Sequence, residues 1–126
     1  MNPSELPVVA LTLGDPAGIG PELIARLLGQ TDAAQHANLV LVGDPWLWAS
    51  GQEIAGVQVR TAPVASFAQV RGRAEPQVPA FLPMDTVAPA QVQRGGAQAP
   101  GGASVLQVVD ACMDAALRRG IDAICF

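Results

Sequence analysis

The residues best suited to chemistry lie in one glycine-rich stretch near the start of the chain. Residues 11–22 read LTLGDPAGIGPE and contain three glycines and two acids. The triplet Gly20-Pro21-Glu22 suits a helix start, because glycine is tolerated as the N-cap, proline favours the first turn and an acid complements the helix dipole. Exposed backbone N–H groups at such a junction can bind an anion. The alternative is a sharp strand-to-helix turn that binds nothing. The candidate site residues are Gly14, Asp15, Gly18, Gly20 and Glu22.

The glycine spacing in this stretch excludes the standard nucleotide motifs. Gly14-x-x-x-Gly18-x-Gly20 is neither GxGxxG nor GxxxxGK[ST]. All seven basic residues are arginines, so Schiff-base chemistry and a Walker-type lysine are excluded within this chain. Asp15 could accept hydrogen bonds from sugar hydroxyls, or it could cap its own turn, as aspartate often does.

The chain has one histidine and two cysteines, which limits the metal sites and nucleophilic catalysis that it could support. His36 is the only histidine, so the chain cannot build a multi-histidine metal site, and a Ser-His-Asp triad has no support. We expect His36 to lie in a solvated loop. Cys112 and Cys125 match no CxxC or zinc pattern, and we expect both to be reduced and packed in the core.

Composition indicates an ordinary α/β domain or part of one. The chain has 126 residues, half of them hydrophobic, and a net charge of −4. The acidic balance argues against a nucleic-acid partner. No apolar run approaches membrane-spanning length, and the first residues lack the positive charge of a signal peptide. We therefore expect a cytoplasmic protein without a membrane partner.

Strand and helix patterns alternate along the chain. Apolar runs predict buried strands over residues 7–13, 39–42 and 121–126, and weaker patterns predict strands over 57–60 and 78–82. Pro79 and Pro83 favour an edge position for the strand over residues 78–82, the fourth in chain order. Helical patterns cover residues 21–29, a short stretch from Pro45, and residues 103–120. The alternation predicts an open, mostly parallel sheet with helices on both faces, a three-layer α/β/α fold.

Several side chains receive specific predictions within these elements. Asp44 is expected to cap the helix that starts at Pro45, and Trp46 and Trp48 to pack that helix on the sheet rather than form a ligand wall. Leu23 and Leu27 are assigned to the inner face of the first helix. The glycine-rich residues 91–102 are interpreted as a structural connection. The inner stripe of the last helix is predicted to contain Val105, Leu106, Val109, Cys112, Met113, Ala116 and Leu117.

The opening motif resembles the N-terminal signature of the 4-hydroxythreonine-4-phosphate dehydrogenase family, which includes sugar-acid-phosphate dehydrogenases. The resemblance continues through LVLVGD at residues 39–44, Gly102 and RGIDAI at residues 119–124. A shorter GDxIGPE motif marks the related isopropylmalate and isocitrate dehydrogenases. Here Pro16-Ala17-Gly18 lies inside that motif, which favours the first family. The implied fold is isopropylmalate-dehydrogenase-like, with residues 1–126 as an N-terminal portion and a second domain beyond residue 126.

The resemblance implies an NAD-dependent enzyme that oxidises and decarboxylates a phosphorylated hydroxy acid. The substrate would be 4-hydroxythreonine 4-phosphate, as in pyridoxine biosynthesis, or a four-carbon sugar-acid phosphate. The family acts as a homodimer and uses a divalent metal (Zn, Mg or Co) as a Lewis acid. Its metal-binding histidines, phosphate contacts and catalytic lysine fall after Phe126, so no catalytic or metal residue is assigned in this chain. Residues 14–22 would form a cleft-lining element on the cofactor side.

Three alternatives remain open on the sequence. The chain could be a standalone phosphate- or nucleotide-binding module without catalysis, a non-catalytic interaction fragment, or part of a relative that oxidises aromatic cis-dihydrodiols. In the leading interpretation, residues 1–126 alone are catalytically inactive.

Overall fold

A parallel five-stranded sheet organises the chain in the computed structural model, which describes residues 6–126. The strands are β1 (Val8–Thr12), β2 (Asn38–Gly43), β3 (Ala62–Pro63), β4 (Ala80–Pro83) and β5 (Ala123–Cys125). The helices are α1 (Gly20–Gln30), α2 (Ala33–His36), α3 (Pro45–Ala55) and α4 (Ala99–Leu117). Short 3-10 turns cover Phe67–Gln69 and Pro89–Gln91.

The strand order β3-β4-β2-β1-β5 places the two most apolar strands at the centre. Val9 of β1 is in register with Leu39 of β2 on one side and with Ala123 of β5 on the other. Val8 and Ala10 point into a core under α4, whereas Leu11 points into a second core under α1 and α3. Because successive side chains of a strand face opposite ways, continuous apolar runs fill both cores. The predicted three-layer α/β/α fold is confirmed.

The third and fourth predicted strands differ from the structure. Residues 57–60 are not a strand, since the N–H groups of Val57 and Val59 bond to the carbonyl and side-chain oxygens of Gln52 at 3.1 and 2.9 Å. The edge strand instead starts at Ala62. β4 lies between β2 and β3, so its predicted edge position is wrong. Its prolines lie just before the strand and at its last residue, where a missing N–H interrupts little of the ladder.

β5 and its cysteine also differ from the prediction. β5 is an edge strand on which Ala123 and Cys125 are exposed, not a buried one. Cys125 is therefore outside the core, and its predicted core packing is wrong. Cys112 is fully buried under the sheet, as predicted, and burial raises the pKa of its thiol to about 11.

Asp122 ties the start of β5 to the rest of the molecule. Its Oδ2 accepts a hydrogen bond from the Val8 N–H at 2.8 Å. The Arg71 guanidinium donates to both carboxylate oxygens at 3.1 and 3.2 Å. The hydrogen bond from Arg71 and that from the Val8 N–H hold the pKa of Asp122 below its usual range.

Helix α4 packs on the sheet through small residues rather than its large apolar ones. Leu106 and Leu117 are 71% and 82% exposed, so their assignment to the inner stripe, together with that of Met113, is wrong. The face of the helix that lies on the sheet consists of small and medium-sized residues, and the leucines face away from it. The buried positions of the helix are Gly101, Ser104, Val108, Cys112 and Ala115.

Helix α1 shows the same effect. Its buried residues are Pro21 and Ala25, while the predicted inner residues Leu23 and Leu27 are exposed. The contact with α3 is close enough that a Cβ on Gly51 would lie 2.6 Å from the Cβ of Pro21.

Within residues 6–126 no helix has the length and apolarity that a membrane crossing requires.

Helix α4 also begins and ends earlier than predicted. It starts at Ala99 after Gln98 and takes in Gly101, which had been assigned to the preceding connection. At its other end Arg119 adopts the left-handed conformation (φ 61°), and the Gly120 N–H bonds to the Ala115 carbonyl at 2.8 Å.

Candidate functional site

The candidate loop, residues 14–22, lies at the carboxyl end of central strand β1. In open parallel sheets this edge is where ligands bind. The Asp15 Oδ1 accepts the Ala17 N–H at 2.8 Å, and the Asp15 carbonyl accepts the Gly18 N–H at 2.9 Å. Asp15 therefore caps its own turn, which is the structural role considered for it. Its carboxylate is nevertheless exposed.

Two glycines of the loop are required by its geometry. Gly14 has a φ of +78°, a conformation that other residues rarely adopt. A Cβ on Gly20 would lie 2.4 Å from the Leu13 carbonyl oxygen. The helix begins at Gly20 with Ile19 as N-cap, one residue earlier than predicted. The glycines thus allow the helix start to lie directly against the end of the strand.

Glu22 is paired with an arginine from a distant part of the chain. Its Oε1 lies 3.1 Å from a guanidinium nitrogen of Arg94. The Glu22 side chain is only 16% exposed, whereas that of Arg94 is 53% exposed. The Gly95 N–H also donates to the Ala17 carbonyl at 2.9 Å. The segment around Arg94 thus lies over the candidate loop.

A small cleft of about 140 Å³ lies between these segments. Its walls come from the loop, from α3 and from the segment around Arg94, and they are mostly apolar with an acid and a base at one side. Drug-sized ligands occupy clefts of roughly 300–1,000 Å³, so this one suits a small group or one end of a larger ligand. The residues lining it include Pro16, Gly18, Pro21, Glu22, Trp46, Ile54, Val92 and Arg94.

A buried carboxylate beside the cleft was missed as a functional candidate. Asp44 is 2% exposed and accepts hydrogen bonds from the N–H groups of Thr86 and Val87 at 2.8 and 3.3 Å. It also bonds to the Thr86 hydroxyl, which lies 2.6 Å from the Ser104 hydroxyl. This Asp44 network joins the carboxyl ends of β2 and β4 to the start of α4.

The network corrects two predictions. Asp44 precedes α3 as its N-cap residue, but its side chain makes no capping bond because it bonds to Thr86 and Val87 instead. Ser104, which is not part of the predicted inner stripe of its helix, is buried. The available signal was that Asp44 and Thr86 each follow a parallel strand within three residues, since the carboxyl ends of such strands share one edge.

The two tryptophans of α3 have different surroundings. Trp48 is buried in the core under α1 and α3, as predicted. Trp46 packs against the same core but also lines the cleft, and its Nε1 donates to the Val87 carbonyl at 2.8 Å. Trp46 therefore packs its helix on the sheet, as predicted, and also forms part of the cleft wall.

The remaining titratable residues form no metal centre in the described part of the chain. His36 is exposed, as predicted, but it ends the short helix α2 and pairs with Asp32 at 3.0 Å rather than lying in a loop. Among residues 6–126, no group of three or more histidine, cysteine, aspartate or glutamate side chains could hold a metal ion.

Fold and site together define a parallel α/β protein with its candidate site at the carboxyl edge of the sheet. A 4-hydroxythreonine-4-phosphate dehydrogenase from Burkholderia phymatum has the same fold over 95% of this chain, with a TM-score of 0.80 and 23% identity. The match covers 36% of that structure. No protein-family model matches the chain.

Sequence comparison identifies the relatives. A Pasteurella multocida protein provisionally named a 4-hydroxythreonine-4-phosphate dehydrogenase is 35% identical over 94% of this chain. The D-threonate 4-phosphate dehydrogenase of Bordetella bronchiseptica is 43% identical over 54% of it. The chain is homologous to the 4-hydroxythreonine-4-phosphate dehydrogenase family, as the opening motif indicated. It spans about a third of the length of the first of these relatives, with 35% covered.

Proposed function

We propose that the natural protein carrying this chain is an NAD-dependent and divalent-metal-dependent dehydrogenase. Its substrate is a phosphorylated hydroxy acid, either 4-hydroxythreonine 4-phosphate or a four-carbon sugar-acid phosphate such as D-threonate 4-phosphate, which it oxidises and then decarboxylates. The observation that carries the proposal is the 35% identity over 94% of the chain with a relative named for the first of these activities. The D-threonate 4-phosphate relative supports the second substrate.

In this proposal residues 14–22 line the cofactor side of the active-site cleft. The close contact of Gly20 with the Leu13 carbonyl brings the first turn of α1 to the carboxyl edge of the sheet. Pro21 has no N–H, so the first turn offers the N–H groups of Gly20 and Glu22. First-turn N–H groups have no partners within the helix, and they favour anionic groups. Gly18 leaves the cleft wall free of a side chain. Asp15 and Glu22 set the shape of the loop through their hydrogen bonds.

The metal ion and the reacting groups belong elsewhere in this proposal. Residues 6–126 do not offer a metal-binding cluster, so no chemical step is assigned to them. A second domain beyond residue 126, and the partner subunit of a homodimer, would supply the metal ligands, the phosphate contacts and the catalytic lysine. A chain that spans about a third of its relatives is consistent with this division.

The test is a substrate panel with the full natural protein. We expect NADH formation, followed at 340 nm, with 4-hydroxythreonine 4-phosphate or D-threonate 4-phosphate, and its loss after a chelator removes divalent metal. Residues 1–126 alone should be inactive. Activity only with an aromatic cis-dihydrodiol, or no NAD reduction with any of these substrates at several metals, would overturn the proposal.

A matched pair of variants tests the role of the loop. Gly18→Ala places a methyl group in the cleft wall, 3.3 Å from the Asp15 carbonyl oxygen, and should raise the KM for NAD. Gly102→Ala is the control, because a Cβ there meets no atom within 4 Å. Equal KM values for NAD in the two variants would place the cofactor away from this loop.

The small cleft also favours a second function, a phosphate-binding module without catalysis. Its volume of about 140 Å³ suits a phosphate-sized group beside the start of α1. Titration calorimetry of residues 1–126 with inorganic phosphate and with NAD separates the two functions. Saturable phosphate binding by a full protein that fails the substrate panel would favour the module.

A further inference from the structure

We infer that residues 88–98, called the strap, form a hinged lid over the cleft. The strap runs from the end of the Asp44 network to the start of α4, and Pro89, Val92 and Arg94 within it line the cleft. None of its residues is buried. Moving it would uncover the cleft without opening either core. This inference goes beyond the proposed function and does not depend on it.

The base of the strap is held firmly. The residues immediately before it, Thr86 and Val87, donate their N–H groups to the buried Asp44 carboxylate. The Val87 carbonyl also accepts a hydrogen bond from the Trp46 indole. Buried hydrogen bonds to a charged acceptor are the strong ones, so the hinge lies after Val87.

The strap is braced internally, so it should move as one unit. The Gln98 side chain accepts a hydrogen bond from the Gln93 N–H at 3.1 Å and donates to the Gln93 carbonyl at 3.2 Å. The Gln91 side chain accepts the Ala88 N–H at 2.9 Å. These bonds connect strap residues only to one another, so they survive when the strap lifts away from the cleft.

Among residues 6–126, two polar contacts hold the tip of the strap against the opposite wall. One is the ion pair between Arg94 and Glu22, and the other is the hydrogen bond from the Gly95 N–H to the Ala17 carbonyl. The Arg94 side chain is 53% exposed, so solvent screens the ion pair on its arginine side, although Glu22 is only 16% exposed. The strap thus has a firmly held base, a braced body and a weakly held tip, as expected of a hinged lid. We call the ion pair between Arg94 and Glu22 its latch.

Amide hydrogen exchange of the full natural protein, measured without substrate or cofactor, tests the inference. Arg94→Gln removes the ion pair, and the Gly95 amide should then exchange about two- to fivefold faster, the factor expected for losing an ion pair that solvent screens on its arginine side. The amides of Thr86 and Val87 should keep their rates. Arg94→Lys, which retains the charge, should restore most of the protection. Raising the salt concentration should accelerate Gly95 exchange in the unmodified protein but not in Arg94→Gln.

The control is Arg60→Gln, which breaks a more exposed ion pair with Glu75, formed by residues that do not line the cleft. It should leave Gly95 exchange unchanged. An unchanged Gly95 rate in Arg94→Gln would overturn the latch. Equal acceleration at Thr86, Val87 and Gly95 would overturn the lid, because it would mean that the whole region unfolds together. Exchange is measured without cofactor, so the results for the latch and for the lid do not depend on whether the protein binds NAD.

Discussion

Replacing Asp44 by alanine should destabilise the protein strongly. The carboxylate is 2% exposed and accepts hydrogen bonds from the Thr86 N–H, the Thr86 hydroxyl and the Val87 N–H. Alanine would leave two backbone N–H groups and one hydroxyl without this acceptor at the meeting point of β2, β4 and α4. A sequence reading that treats Asp44 as an ordinary helix cap predicts a loss of only about 1 kcal/mol.

The expected loss follows from the three bonds. Each hydrogen bond to a charged group is worth about 1.5–3 kcal/mol, and an unsatisfied buried donor costs about 1–3 kcal/mol. Bonds that share one acceptor are not additive, and the desolvation of the carboxylate offsets part of the gain. We therefore expect a loss of about 3 kcal/mol for Asp44→Ala. Asp44→Asn keeps one acceptor oxygen and should lose about half as much.

Urea unfolding of the natural protein measures this loss. The fluorescence of Trp46 and Trp48 reports on α3, which begins directly after Asp44. The slope rises with chain length, so with a slope of about 3 kcal/mol per molar urea for the natural protein the Asp44→Ala midpoint should fall by about 1 M. The control is Asp85→Ala, an exposed acid next to Thr86, which should change stability by less than about 0.5 kcal/mol. Equal midpoints for Asp44→Ala and Asp85→Ala would refute the reasoning.

Three further predictions follow from single contacts. Gly20→Ala should lower the thermal midpoint, because the added Cβ would clash with the backbone. Gly102→Ala lies in open space within α4 and should raise the stability by about 0.5–1 kcal/mol. Calorimetry that finds the same sign for both variants would contradict this prediction. Asp122 has a lowered folded-state pKa, so its stabilising contribution is present above pH ~4 and is lost as the pH falls through the folded value. Asp122→Asn should therefore flatten the acid side of the stability–pH curve, and an unchanged curve would argue against the role of this group. At pH 8 iodoacetamide should label the exposed Cys125 in the native protein. The buried Cys112, with a pKa of about 11, should react only after unfolding. Peptide mass spectrometry of native and denatured samples compares the two cysteines.

The central strands, the fold class and the general course of the helices could be predicted because they depend on local pattern. Runs of apolar residues at β1 and β2 must be covered on both faces wherever they lie in the sheet. The position of β4 in the strand order could not be predicted from local pattern. Its prolines suggested an edge, but strand order depends on pairing with residues far away in the chain.

Helix faces were predicted poorly for a related reason. Pattern reasoning placed Leu106 and Leu117 toward the sheet because they are large and apolar, yet the structure buries Ser104 and Val108. Which face of a helix lies on a sheet depends on how its side chains fit the surface of the sheet, and the hydrophobicity of single residues does not show that fit. Ser104 is acceptable at a buried position only because Thr86 reaches it from another strand end.

The sequence by itself determined the turn at Gly14 and Gly20, the family resemblance and the parallel α/β class, because each depends on residues that are neighbours in the chain. Tertiary structure alone decided the surroundings of that turn. It brought Arg94 to Glu22 across 72 residues and Thr86 to Asp44 across 42. Such contacts depend on strand order, register and the separation of packed helices, and no local pattern encodes these quantities. The candidate loop was therefore found from the sequence, while its cleft, its strap and its buried carboxylate became visible only in the folded chain.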